Sequence, residues 1–196
     1  IEAEEGVAAA SPVVYPKGLL VSSGSPEGSA VMLKAVIPER EARVTSISAR
    51  MASGSFKALE RAADAPAGIV LGRDLAEELG VAVGDRVRLV VPSVRLSPFG
   101  AAPRARTFEV AGTFSSGYYI YDASWGFITL QEGQALLGIG DAAQAVEVRV
   151  REPDRAGEVA ARLEKNLASL FRITTWQELN KPLFSAFKVE KLFMFL

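Results

Sequence analysis

Carboxylates come first, because the chain offers little else for catalysis. It contains no histidine and no cysteine. A Ser-His-Asp triad, a Cys-His dyad, an imidazole or thiolate metal site and a histidine general base are therefore excluded, as are disulfides. Asp64, Asp74, Asp85, Asp122 and Asp141 are scattered and fall mostly at turns or helix starts. A glycosidase needs two carboxyl groups flanking one bond, and no spacing here singles out a pair. The G-x-x-x-x-G-K-[ST] phosphate loop is absent, so nucleotide hydrolysis would have to come from another chain. No cofactor and no metal are expected. The run Tyr118-Tyr119-Ile120-Tyr121-Asp122 could present a stacking platform for a sugar or a base. Aromatic β segments more often pack as sheet core or edge. Trp176-Gln177-Glu178-Leu179-Asn180 reads either as a ligand contact or as a linker that packs a tryptophan.

One stretch asks for an explanation. Between two alternating segments lie fourteen residues, 92–105: Pro92, Ser93, Val94, Arg95, Leu96, Ser97, Pro98, Phe99, Gly100, Ala101, Ala102, Pro103, Arg104 and Ala105. Hairpin loops usually take about 2–5 residues, and structureless loops beyond roughly 12 tend to be functional or disordered. Three prolines stiffen this one, which lowers the entropy lost when a partner holds it. Arg95 and Arg104, with Arg88 and Arg106 at the base and no acid within, make a local basic spot. Val94, Leu96 and Phe99 sit where solvent is expected. Two readings follow from the residue types: a stiff arm for protein recognition, or a long loop whose Leu96 and Phe99 fold back onto the domain.

The surrounding elements are those of an α+β protein with mixed sheets. Residues 13–37 read as a β-hairpin with the polar tip 22–29, and 1–5 as the tail of a helix ending at Gly6. Residues 39–56 are weakly patterned. Gly68–Gly72 reads as a buried strand, and Asp74–Leu79 as a helix closed by Gly80. Val87, Leu89 and Val91 alternate with Arg86 and Arg88, the mark of a half-buried strand. Thr107–Phe114 pairs with it, carrying Phe108, Val110 and Phe114 on one face. Phe127–Leu130 reads as a strand and Gln131–Leu137 as a helix. The last third gives a β-α-β signal. Strand 146–150 leads into a helix with Val159, Leu163, Leu167 and Leu170 on one face, and Phe171–Thr174 returns as a strand.

Composition agrees with a folded protein. Of 196 residues, 49% are hydrophobic and 23% charged, and 22 Lys+Arg against 23 Asp+Glu leave a net charge of −1. That balance gives no electrostatic footprint for nucleic acid. The chain opens Ile1-Glu2-Ala3-Glu4-Glu5 without a signal-peptide pattern. At the other end, Lys188-Val189-Glu190-Lys191 precedes Leu192-Phe193-Met194-Phe195-Leu196. Apolar residues on every face fit the first turn of a transmembrane helix, with the lysines at the interface; a frayed terminal helix is the plainer reading.

Taken in order, several segments resemble the lipoprotein-releasing ABC permeases of the LolC/LolE family. They are Val31-Met32-Leu33-Lys34 with Ile37-Pro38, Gly68-Ile69-Val70-Leu71-Gly72-Arg73, Leu79-Gly80-Val81, Gly84-Asp85 and Val90-Val91-Pro92. The series continues through Pro98-Phe99-Gly100, Phe108-Glu109-Val110, Gly112-Thr113-Phe114 and Tyr119–Asp122 to Trp176, Leu183-Phe184 and Val189-Glu190-Lys191. The resemblance implies a MacB-like periplasmic domain of the bacterial inner membrane, with a Porter-like lobe (1–40 and 142–178) and an inserted Sabre-like lobe (41–141). Residues 179–196 would approach a transmembrane helix. It further implies a protruding hook at 92–105 that captures the periplasmic carrier LolA, through Pro92, Ser93, Val94, Arg95, Leu96, Ser97, Pro98, Phe99, Gly100, Pro103 and Arg104. Arg88 and Arg106 match a basic pad at its base, and Ala105 departs from the amide expected there. The implied partners are LolA, an ATPase subunit (LolD), a second permease copy or paralogue, and lipoprotein substrates. A LolE-like domain contacting the lipoprotein and a MacB/FtsX-like domain gating a protein partner are the alternatives. Strand parity adds a condition. Arg106 shares parity with Phe108, so it joins Arg88 only if the strand begins after it or twists there.

Overall fold

The computed structural model describes residues 1–61, 65–97, 100–167 and 171–181, with the backbone alone for 93–97 and 100–103. It divides into two compact units, Ile1–Ala9 with the chain from Val148 onward, and Ala10–Glu147. The strands are β1 (Val7–Val13), β2 (Lys17–Val21), β3 (Ser29–Val36), β4 (Met51–Gly54), β5 (Ala67–Gly72), β6 (Arg86–Ser97), β7 (Gly100–Phe114), β8 (Trp125–Thr129) and β9 (Ala145–Val150). The helices are α1 (Pro38–Val44), α2 (Arg73–Leu79), α3 (Tyr119–Ser124), α4 (Leu130–Leu137), α5 (Ala156–Leu167) and α6 (Trp176–Leu179). Short 3-10 turns at Ile47–Arg50 and Phe56–Leu59 fill the weakly patterned stretch around β4.

The larger unit is built on one mixed sheet in the order β4-β7-β5-β8-β3-β2-β6, and β6 pairs back onto β7. Six strands thus close a ring, which leaves few backbone groups at open edges. β3 runs parallel to β8 and β5 to β7, and the remaining pairings are antiparallel. Every ring strand sends side chains to one interior, among them Leu20, Leu33, Ile69, Leu71, Leu89, Phe108 and Ile128. Leu75 and Leu79 of α2 and Leu136 of α4 join them. Each such side chain contributes about 1.5–3 kcal/mol when fully buried. α2 ends at Gly80 in the left-handed region (φ 64°), as its sequence predicts.

A second cluster lies on the other face of the sheet: Val13, Val36, Phe56, Leu59, Val70, Ala111, Phe114 and Phe127. Phe127 meets Phe56 and Phe114 edge-on, each at 5.4 Å between ring centroids. Here the sequence expectation is corrected. Phe108 and Val110 face the ring interior, whereas Phe114 faces outward. The register against β5 jumps from Ile69↔Val110 to Val70↔Gly112, so one extra residue on β7 inverts the alternation. Gly112 suits the shift, since a Cβ there would lie 2.7 Å from the Ser53 carbonyl oxygen.

Residues 10–40, read from sequence as part of the first lobe, sit in the larger unit because β2 and β3 are ring strands. The smaller unit packs Val7, Val159 and Leu163 with Val148, Val150, Leu167 and Ile173. Leu170 lies outside the described residues. Three further expectations are corrected. Residues 1–5 form turns rather than a helix tail, and β1 begins directly after Gly6. Residues 171–174 join no ladder; only Ile173 packs inward and Phe171 is exposed. The aromatic run is not a strand: Tyr119–Ser124 is helix α3, and Tyr118, Tyr119 and Ile120 are more than 70% exposed.

Asp122 fixes α3. Its buried carboxylate accepts the Ser116 and Gly117 N–H groups at 2.7 and 3.2 Å, and the Ser115 hydroxyl at 3.4 Å. Burial pushes its pKa up, but these donors together hold it below the ordinary value. Asp122→Ala is expected to cost about 1–3 kcal/mol in urea unfolding, because two N–H groups lose their acceptor. The sign with pH follows from the lowered native pKa. The contribution is complete above the unfolded value of about 3.9 and is lost as pH falls through the lower folded value. Unfolding at stepped pH, wild type against the variant, measures it.

Candidate partner-binding hairpin

Of the fourteen residues that sequence left as arm or loop, 92–97 and 100–105 are an extension of two paired strands. β6 leaves β2 after Val90, and β7 leaves β5 at Phe108. Beyond those points the two strands pair only with each other, through Val91↔Arg104, Val94↔Pro103 and on to Ser97↔Gly100. Seven or eight residues at about 3.4 Å each give a ribbon of roughly 25 Å. The ladder breaks once, where Pro92 and Ser93 go unpaired between Val91 and Val94. Proline has no N–H to contribute, so a bulge is where a strand tolerates it. Pro98 and Phe99 lie outside the described residues. Of Ser93, Val94, Arg95, Leu96, Ser97, Gly100 and Pro103 the structure describes the backbone alone.

The arginines separate by face. Leu89 and Val91 are buried in the ring interior, so their cross-strand partners Arg106 and Arg104 share that inner face. Arg88 pairs with Thr107 and lies on the outer face, exposed. β7 runs unbroken through Arg106, which is the parity case in which the two pad residues do not meet. Both inner arginines instead engage α4. Arg104 Nη1 donates to the Ala135 and Leu136 carbonyls at 3.0 and 2.9 Å, the last turn of that helix. Its positive charge also suits a helix C-terminus. Arg106 Nη2 donates to Glu132 Oε1 at 2.6 Å, and its Nε faces Oε2. Burial pushes the Glu132 pKa up, and Arg106 only partly offsets it. Arg88 has no ion-pair partner among the described residues.

The family model of the MacB-like periplasmic core domain matches residues 1–166. The chain belongs to that family. This MacB-like domain is 28% identical, over its whole length, to the lipoprotein-releasing system transmembrane protein LolC of Neisseria meningitidis serogroup B. It is 28% identical over 96% of its length to the LolC protein of Xylella fastidiosa. It spans about half of these relatives, 46% and 44% of their lengths. Among solved structures it resembles the extracellular domain of the noncanonic ABC-type transporter YknZ from Gram-positive bacteria. That match has a TM-score of 0.54 at 13% identity, over 85% of this chain and 79% of that one, and it speaks to the fold.

Sequence reasoning missed two features of the MacB-like domain. Glu132 gave no signal, because nothing in the spacing brings α4 to the hairpin base. The second is a buried charge cluster. Lys34 Nζ donates to Glu41 Oε1 at 2.7 Å and to Glu147 Oε2 at 2.6 Å. Thr45 donates to Glu41 Oε1 at 2.9 Å, and the Tyr15 hydroxyl donates to Glu147 Oε1. Burial and the neighbouring carboxylate push the Tyr15 pKa up, so it remains a donor. A signal for this existed: a lone lysine within the apolar run Val31–Ile37 needs a buried partner. Among the described residues no group of acidic side chains could hold a metal ion, and no helix is long and apolar enough to cross a membrane.

Proposed function

We propose that this domain is the periplasmic part of a lipoprotein-releasing ABC permease, on the periplasmic face of the bacterial inner membrane, and that its hairpin docks the lipoprotein carrier LolA. The observation that carries the reading is the two-stranded ribbon of 91–97 with 100–104, roughly 25 Å long, which pairs with no other strand. The similarity to LolC proteins along the whole chain supports the transport system. The role is mechanical and recognitional. ATP hydrolysis belongs to a separate subunit of the LolD kind, acting on the transmembrane part of this permease and of a second copy or paralogue. The hairpin residues 92–103 supply the contact, and exposed Arg88 supplies positive charge at its base. Arg106 and Arg104 are turned to α4, so of the three arginines 88, 104 and 106 it is Arg88 that stands free to meet a carrier directly.

Calorimetric titration with LolA from the same organism tests this. The intact domain is expected to bind, and a version with residues 94–102 replaced by a short Gly-Ser turn is expected to give no heat. Arg88→Glu is expected to weaken binding about tenfold, or about 1.4 kcal/mol. An armless domain that binds as tightly as wild type sinks the reading. No binding by a folded intact domain moves it to a LolE-like domain that contacts the lipoprotein, or to a MacB/FtsX-like domain gating another protein.

A further inference from the structure

A two-stranded ribbon standing alone is marginally stable in water, so something must hold this one in direction. The ribbon leaves the ring at the edge of the apolar interior, and there two arginines of β7 stand across the ladder from Leu89 and Val91 on the inner face. Both are held by one helix. Arg104 and Arg106 are two residues apart on a strand, about 6.8 Å. Glu132 and the Leu136 carbonyl are four residues apart on α4, about 6 Å. The spacings match, so the helix grips the strand at two points, and two points fix a direction where one would leave a swivel.

The helix is itself immobilised. Leu136 is buried in the ring interior, and a Cβ on Gly133 would come within 2.3 Å of the Ala35 Cβ. Gly138, in the left-handed region at φ 66°, lies under the Arg104 guanidinium, where a Cβ would meet Nη2 at 2.5 Å. The grip also sits at the weak place in the ribbon. Val91↔Arg104 is the last pair before Pro92 and Ser93 interrupt the ladder. Past that break the outer pairs, 94–97 with 100–103, connect to the sheet through one unbroken strand, and that strand is the one gripped.

We propose that α4 is a brace that sets the direction of the hairpin, with Glu132 as its positioning residue and the Pro92–Ser93 bulge as the pivot. The proposal rests on the reading of the hairpin as a docking arm for its value in transport, but its geometry can be tested without any carrier. In consequence Arg106 acts on recognition through the angle of the arm rather than by touching the partner.

The absence of cysteine makes the test clean. Ser97→Cys on the ribbon and Glu39→Cys on α1 take one nitroxide each, and pulsed EPR reads the distance distribution between them. The wild-type background is expected to give one narrow distribution. Glu132→Ala is expected to broaden it at least twofold, Glu132→Gln, which keeps an acceptor, less so. The exchange Arg106→Glu with Glu132→Arg is expected to narrow it again, a rescue that general loss of packing would not show. Should Glu132→Ala fail to fold by circular dichroism, Arg104→Gln removes the other grip and is read in the same way. An unchanged width in a folded Glu132→Ala or Arg104→Gln protein overturns the brace. Titration with LolA separates the two ideas: with the arm loosened, affinity is expected to fall roughly tenfold through lost preorganisation. Broadening without any carrier binding by wild type leaves the brace standing and removes the docking reading.

Discussion

Lys34→Met is expected to destabilise the domain by about 3–5 kcal/mol, seen as a lower urea midpoint at unchanged slope. Lys34 is the one cation between two carboxylates, and Glu41 is fully buried. Methionine keeps the length and the apolar contacts of the four-atom stem and lacks only the ammonium, so the loss isolates the charge. Removing it leaves Glu41 and Glu147 facing an apolar chain, and a buried carboxylate without its counter-ion is far costlier than the pair was favourable. Glu41→Gln makes the contrast. Its remaining oxygen still accepts from Lys34 and Thr45, and the amide replaces Oε2, which has no hydrogen-bond partner in the structure. That change is expected to stay within about 1 kcal/mol. Equal costs for the two variants would show that the cluster works by packing and not by charge balance.

Phe114→Ala is the second large effect, about 3–5 kcal/mol in the same assay. Phe114 is fully buried between β4 and β5 partners and closes edge-on against Phe127, so truncation leaves a cavity its neighbours cannot fill. Phe108→Ala is expected to cost a similar amount in the other cluster. The informative quantity is the double variant. The bulge places the two rings on opposite faces of β7, with no shared neighbours among the buried clusters. Their costs should therefore add to within about 0.5 kcal/mol. A large interaction energy would contradict the separation of the two clusters.

Much of the scaffold was legible in the residues because local rules decide it. Alternation in Arg86–Val91 exposed a strand, Gly80 and Gly138 ended helices in the left-handed region, and Val159, Leu163 and Leu167 marked one helix face. The arm was half legible. Its length, prolines and basic residues separated it from ordinary hairpin loops, yet residue types could not say that the strands continue through it. Pairing between strands depends on register, and register is a property of two segments together.

Residue types alone establish that this chain has no histidine or cysteine chemistry, that it alternates strands and short helices, and that residues 92–105 are unlike their surroundings. The chain also carried the ordered motifs that led to the family. Which way each arginine faces follows from the assembled sheet. Arg88 and Arg106 read alike as basic residues flanking one loop, but a single step of register puts one outside the ring and the other against Glu132. The same holds for Phe114, turned to the second cluster by one inserted residue. A period of two makes every side chain's direction depend on a count that only the assembled sheet fixes, and here that count divides an exposed arginine from one held by a glutamate.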